Sequence, residues 1–152
     1  MTVIDEQAVG DTREQASFRA KVREFLDSTV EYARTHGYVE TIFKRRRYIP
    51  ELRDRNFNIR AFGERVAQNA PIQGSAADLI KIAMIRIQQD LDSRTDGSKM
   101  LLQVHDELLF EVPVASIPEV QELVRDRMEA AAVLDVPLRV EGGVGTNWLA
   151  AK

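Results

Sequence analysis

The stretch KMLLQVHDELLFEV, residues 99–112, constrains this chain more than any other. Two apolar runs meet at a polar tip, His105-Asp106-Glu107. Strands over 99–104 and 107–112, joined through that tip, make an antiparallel hairpin. A two-stranded ribbon is not stable alone, so its apolar side needs a cover from elsewhere in the chain.

The cover is legible as helices. Over residues 12–35 the apolar positions Phe18, Val22, Phe25, Leu26, Val30 and Ala33 recur at helical spacing, and Gly37 supplies a stop. YVETIF and RRYIPEL are short extended segments linked by KRRR, which has no turn glycine. A helix is expected from about Asn58 to Asn69, with a break at Ala70 because Pro71 disfavours helix in the residue before it. It restarts over 73–93 with apolar residues almost all round, which predicts a mostly buried helix. RTDGS is a loop. Ser116 and Glu119 have the spacing of a capping box ahead of a helix reaching about Val133, with Ile117, Val120, Val124, Met128 and Ala131 on one face. PLRVEGGVG reads as a last strand and TNWLAAK as a tail. Residues 1–12 are polar, without periodicity, and expected to fray. The order predicts an α+β fold, an antiparallel sheet covered by helices.

Composition excludes several classes. The 152 residues include no cysteine, so disulfides and thiolate metal sites are ruled out. With 44% hydrophobic and 30% charged residues the chain has the balance of a soluble globular domain. Its first twenty residues have no secretory pattern, and no apolar run approaches a membrane span, so no membrane partner is expected. The net charge of −3 hides an asymmetry. Residues 40–65 carry eight Lys/Arg against four Asp/Glu, and residues 105–141 nine Asp/Glu against three Arg. The first stretch suits phosphate; the second suits cations or a solvated helix face.

Two places carry chemistry. At a tight turn Asp106 and Glu107 can face one ligand, which they cannot do in a regular strand. Hard oxygen ligands suit Mg²⁺, and paired ions bridged by carboxylates serve in-line attack at phosphorus. On residues alone, a solvated turn and a metal site both stay open, and His105 is a hydrogen-bonding group rather than a Mg²⁺ ligand. The second place is RAFGERVAQNAPIQG, which sets Arg60, Glu64 and Arg65 near Asn69 and Gln73. Arg65 and Asn69 share a helix face, and Arg, Asn and Gln are the side chains that reach phosphates and base edges. The alternative there is a solvated face with an Arg-Glu pair.

Together, ERVAQNAPIQGSAADLIKIAMI and LLQVHDELLFEVP closely resemble the C-terminal part of A-family DNA polymerases, the bacterial DNA polymerase I family. The likeness begins near Phe25 and runs to VGTNWLAAK, which resembles that family's C-terminus. It implies a partial polymerase palm, with residues 1–22 a divergent or frayed N-terminal extension and 23–152 the C-terminal part of the palm. VHDE resembles the motif C hairpin, which implies that Asp106 binds catalytic Mg²⁺ and that Glu107 supports the metal site and primer end. It further implies primer-template contacts by His105, Gln103, Gln73, Asn69, Arg65 and Arg60. The implied partners are primer-template DNA and dNTP, and the implied location is bacterial or phage-like cytoplasm, at the nucleoid.

The family's transfer chemistry also needs motif A, a DYSQIELR-like strand with a second aspartate, and motif B, a helix that grips the triphosphate. Neither is found in these residues; VIDEQ at 3–7 has an Asp but nothing else of motif A. The two-ion Mg²⁺ site is therefore only partly encoded, and the expectation is inactivity unless another polypeptide carries motifs A and B. Alternatives are a non-catalytic DNA-binding remnant and an interaction module. Lys44 stands where the family usually has a turn glycine.

Overall fold

The computed structural model describes residues 13–151. The expected fraying over 1–12, and VIDEQ, lie outside the described residues. The chain divides into two compact units, residues 1–75 and 76–152, and each is described by itself.

In the first unit, helix α1 spans Arg13–His36, so residues 13–22, read above as extension, are helical. Gly37 ends it at φ +84, and its N–H bonds to the Ala33 carbonyl at 2.8 Å. Strands β1 (Tyr38–Glu40) and β2 (Arg46–Tyr48) pair antiparallel, Tyr38 against Tyr48 and Glu40 against Arg46. Their turn forms without a glycine because Lys44 takes φ +66. A 3-10 turn over Pro50–Arg53 leads to helix α2, Phe57–Asp92. The core joins Val30 and Ala33 of α1, Val39, Ile49, Leu52, and Ala67 and Ala70 of α2. Gly63 lets α2 press on the 3-10 turn: a Cβ there would stand 3.0 Å from the Leu52 nitrogen.

The expected break at Ala70 is absent: α2 is continuous, with Pro71 inside it. Pro71 has no N–H for the ladder, but Ala67 and Ala70 before it are both buried in the core. One turn later the Ser75 hydroxyl donates to the Pro71 carbonyl at 2.5 Å and accepts the Ile42 N–H at 3.0 Å. Packing and this clasp outweigh the local preference.

The second unit holds the rest of α2, strands β3 (Lys99–Val104) and β4 (Glu107–Glu111), and helix α3, Ile117–Glu129. Its core sets Ala83, Ile87 and Leu91 of α2 against Val120 and Ala131, with Met100, Leu108 and Phe110 of the hairpin packed alongside. Arg94 forks between Asp96, at 2.6 Å, and Glu119, at 2.7 Å, and Arg127 binds Asp90.

Four expectations fail here. The 73–93 segment buries one stripe rather than all sides, and Ile85 is 60% exposed. An all-round apolar helix needs more cover than the described residues supply. The capping box does not form: Ser116 makes no capping bond, its hydroxyl being turned to Asp96, and Glu119 is taken by Arg94. Helix α3 stops at Glu129, short of Val133. PLRVEGGVG is not a strand: no described strand runs beside it, and a lone strand leaves its backbone groups unpaired. Within the described residues the fold is helix-rich with two separate two-stranded antiparallel sheets, not one sheet under helices. No described helix is long and apolar enough to cross a membrane.

Candidate functional site

The hairpin tip is a two-residue turn. Val104 pairs with Glu107, so only His105 and Asp106 lie between the strands. His105 takes φ +54 and Asp106 does not take a positive φ. That pattern belongs to type II′ turns, which ordinarily place glycine at the first central position. Histidine tolerates positive φ better than most residues, yet the conformation still costs free energy. The Gln103 amide donates to the His105 carbonyl at 2.9 Å and stiffens the turn. A bulge at Leu101 shifts the register between Met100 and Leu102, so Gln103 stands opposite Leu108.

His105, Asp106 and Glu107 are all exposed. Among the described residues Asp106 has no hydrogen-bond or ion-pair partner. Glu107 is held: the Trp148 indole N–H donates to its Oε2 at 3.2 Å. Trp148 opens the closing 3-10 turn, Trp148–Ala151, and that turn sits against Gly143 and Gly145, where a Cβ would collide with its backbone. The segment expected to be a tail, TNWLAAK, thus ends in an ordered turn. The one signal available was that its tryptophan is the chain's only one, a side chain with a donor to place.

No three described His, Asp or Glu side chains enclose a metal-sized site. A Mg²⁺ ion does not need that, since it is bound by one or two carboxylates with water and substrate phosphates. The unpartnered, exposed Asp106 fits one such ligand.

The second set lies on α2 in the first unit. Arg65, Asn69 and Gln73 are exposed and spaced four apart, so they share one face, and none bonds to a described side chain or backbone group. The Arg65 guanidinium lies 6.0 Å from the Phe62 ring centroid. Arg60 behaves differently. Its Nη1 donates to the Asp54 and Arg55 carbonyls at 3.0 and 2.9 Å, which ties down the entry to α2. Beside Gln73, Arg45 donates to the Gly74 carbonyl at 3.1 Å, so the β1–β2 turn is docked on the helix at this point. The sequence did not reveal Ser75 and Thr41 as the parts of that dock.

Comparisons with known proteins identify the family of the chain. The model for DNA polymerase family A matches residues 13–150. DNA polymerase I of Caldicellulosiruptor bescii is 50% identical over 132 residues, 87% of this chain and 16% of that protein. DNA polymerase I of Mycobacterium tuberculosis is 53% identical over 130 residues, covering 86% and 14%. The Bacillus subtilis enzyme is 48% identical over 155 residues, 96% of this chain and 18% of its own length. Among solved structures, the POL domain of Pol1 from M. smegmatis, in complex with DNA primer-template and dNTP, matches with a TM-score of 0.84. It is 51% identical, over 87% of this chain and 23% of that one. The chain thus spans 14–18% of the length of these three curated relatives. With a family model matched over nearly all its described residues, the chain belongs to DNA polymerase family A.

Proposed function

We propose that this chain supplies the palm hairpin and part of the primer-template surface of a DNA-directed DNA polymerase. The observation that carries the reading is the strained tip, where His105 at φ +54 presents an Asp106 without partners beside a Glu107 held by Trp148. Strain of this kind persists only where the surrounding structure over-determines it, and it clusters at active sites and ligand clamps. Asp106 holds one catalytic Mg²⁺, and Glu107 supports the site and the primer end. When bound, the metal stabilises charge on the transferring phosphoryl group. His105 and Gln103 at the tip, and Gln73, Asn69 and Arg65 on α2, contact the primer-template. Polar donors in the minor groove check pair geometry without reading sequence, because A·T and G·C share acceptors there. Arg60 acts from behind by fixing the start of α2.

In this reading the second aspartate and the triphosphate-gripping helix lie outside these residues, and dNTP binds there. The work belongs to the cytoplasm, at the nucleoid. Primer extension with Mg²⁺ tests it, using the chain alone and then with a polymerase fragment carrying motifs A and B. Extension by the mixture, abolished by Asp106→Ala, is expected. No extension with any complementing fragment refutes it.

The unbonded face of Arg65, Asn69 and Gln73 favours one second reading, DNA binding without catalysis. It expects salt-sensitive binding that weakens with Arg65→Ala and ignores Asp106→Ala.

A further inference from the structure

Four aromatic rings meet on one side of the first unit. Tyr32 and His36, one turn apart on α1, stack with centroids 4.0 Å apart and planes 18° from parallel. Tyr38 stands edge-on to Tyr32 at 5.9 Å and to Tyr48 at 5.7 Å. The Arg46 guanidinium sits 4.5 Å over the Tyr38 ring. The pairing explains the grouping. Tyr38 faces Tyr48 and Glu40 faces Arg46 across β1 and β2, so all four project to one side. Val39, between them, projects to the other side and is buried in the core. The hairpin therefore has a core side and an aromatic side.

The aromatic side is open and cationic. Tyr48 is 68% exposed, and Tyr32 and His36 are also exposed. Glu40 is shared by two cations, Arg46 at 2.9 Å and Lys44 at 3.8 Å, which leaves local positive charge. The surplus of cations favours an anionic partner, and rings interleaved with arginine are the means by which unpaired bases and their phosphates are held together. Bases inside a duplex already stack on each other and offer no free face.

We propose that this side of the β1–β2 hairpin, with Tyr48 and the Arg46–Tyr38 pair at its centre and Tyr32 and His36 beside them, is a stacking platform for single-stranded nucleic acid. It lies on other residues than the hairpin tip and the α2 stripe, and it needs neither metal nor nucleotide transfer.

Fluorescence anisotropy of labelled oligo-dT, titrated with the full chain without Mg²⁺, tests it, with a duplex of equal length in parallel. Tyr48→Ala should weaken oligo-dT binding about 5- to 100-fold, while Tyr48→Phe keeps the ring and the affinity. Arg46→Ala should flatten the slope of log affinity against log salt by about 0.7. Circular dichroism checks that the variants stay folded. Oligo-dT binding that is unchanged in Tyr48→Ala overturns the proposal. So does equal loss in Tyr48→Ala and Tyr48→Phe, or a duplex bound as tightly and hurt as much. A chain that does not bind oligo-dT at low salt also overturns it and leaves the face to a protein partner. Because the readout omits catalysis, it stands or falls apart from the polymerase reading.

Discussion

Gly74→Ala sets two well-measured effects against each other. Gly74 lies inside α2, where alanine is favoured over glycine by about 1 kcal/mol. Yet a Cβ at this position would come 2.7 Å from the Thr41 Cγ2. That is about 1 Å inside ordinary carbon–carbon contact. Thr41 cannot step aside. It is buried, its N–H and hydroxyl oxygen bond to the Arg45 carbonyl and N–H, and its carbonyl accepts from Lys44. Overpacking of this kind costs about 1–3 kcal/mol. The net expectation for Gly74→Ala is a destabilisation of about 1 kcal/mol. Thr41→Ser removes the methyl and keeps the hydroxyl. In that background Gly74→Ala should stabilise by about 1 kcal/mol, so the double-mutant coupling is about 1–3 kcal/mol. Urea unfolding of the four proteins, compared by midpoint at unchanged slope, reads this directly. If Gly74→Ala has the same sign and size in both backgrounds, the close approach is not what selects glycine, and the reasoning fails.

Three further outcomes are expected. Trp148→Phe releases Glu107, so the complemented polymerase should lose about 2- to 10-fold in kcat, with KM for nucleotide unchanged; a loss of thermal stability with kcat intact would make Trp148 structural only. Asp96 is held well below the usual carboxylate range, first by the Arg94 guanidinium and then by the Ser98 N–H and the Ser116 hydroxyl. A depressed folded pKa gives stability that is present above about pH 4 and lost as pH falls, so Arg94→Ala should flatten the decline of the urea midpoint between about pH 5 and pH 2; an unchanged decline counts against it. Lys44→Gly should raise stability by about 0.5–1 kcal/mol, because it relieves a positive φ at the cost of glycine's freedom in the unfolded chain; a lower melting temperature contradicts this.

The parts of the fold that read well from sequence are those fixed by local pattern. The 99–112 hairpin needed only its apolar runs and polar tip, and α1 only its spacing and Gly37. The failures are places where distant residues decide. Pro71 looks like a stop until Ser75 and the buried Ala67 and Ala70 are seen around it. A run such as PLRVEGGVG has strand composition, but pairing depends on a neighbour that composition does not report. At the tip, the placing of Asp106 and Glu107 at a tight turn was legible from residue type. Trp148 was not, because its bond to Glu107 joins residues 41 apart in the chain. Arg60 lies close to Arg65 in the sequence, but nothing there reveals that its guanidinium bonds to the backbone at Asp54 and Arg55.

The backbone of His105 limits how this protein can be improved. Any engineering campaign ranked by melting temperature would be drawn to position 105, since glycine relaxes a turn of this shape. The same exchange deletes the imidazole at the tip. In the proposed role of His105 as a primer-template contact, stability and recognition compete for a single residue there. A variant library selected for heat resistance alone should accumulate glycine or asparagine at 105 and leave a firmer, blunter hairpin.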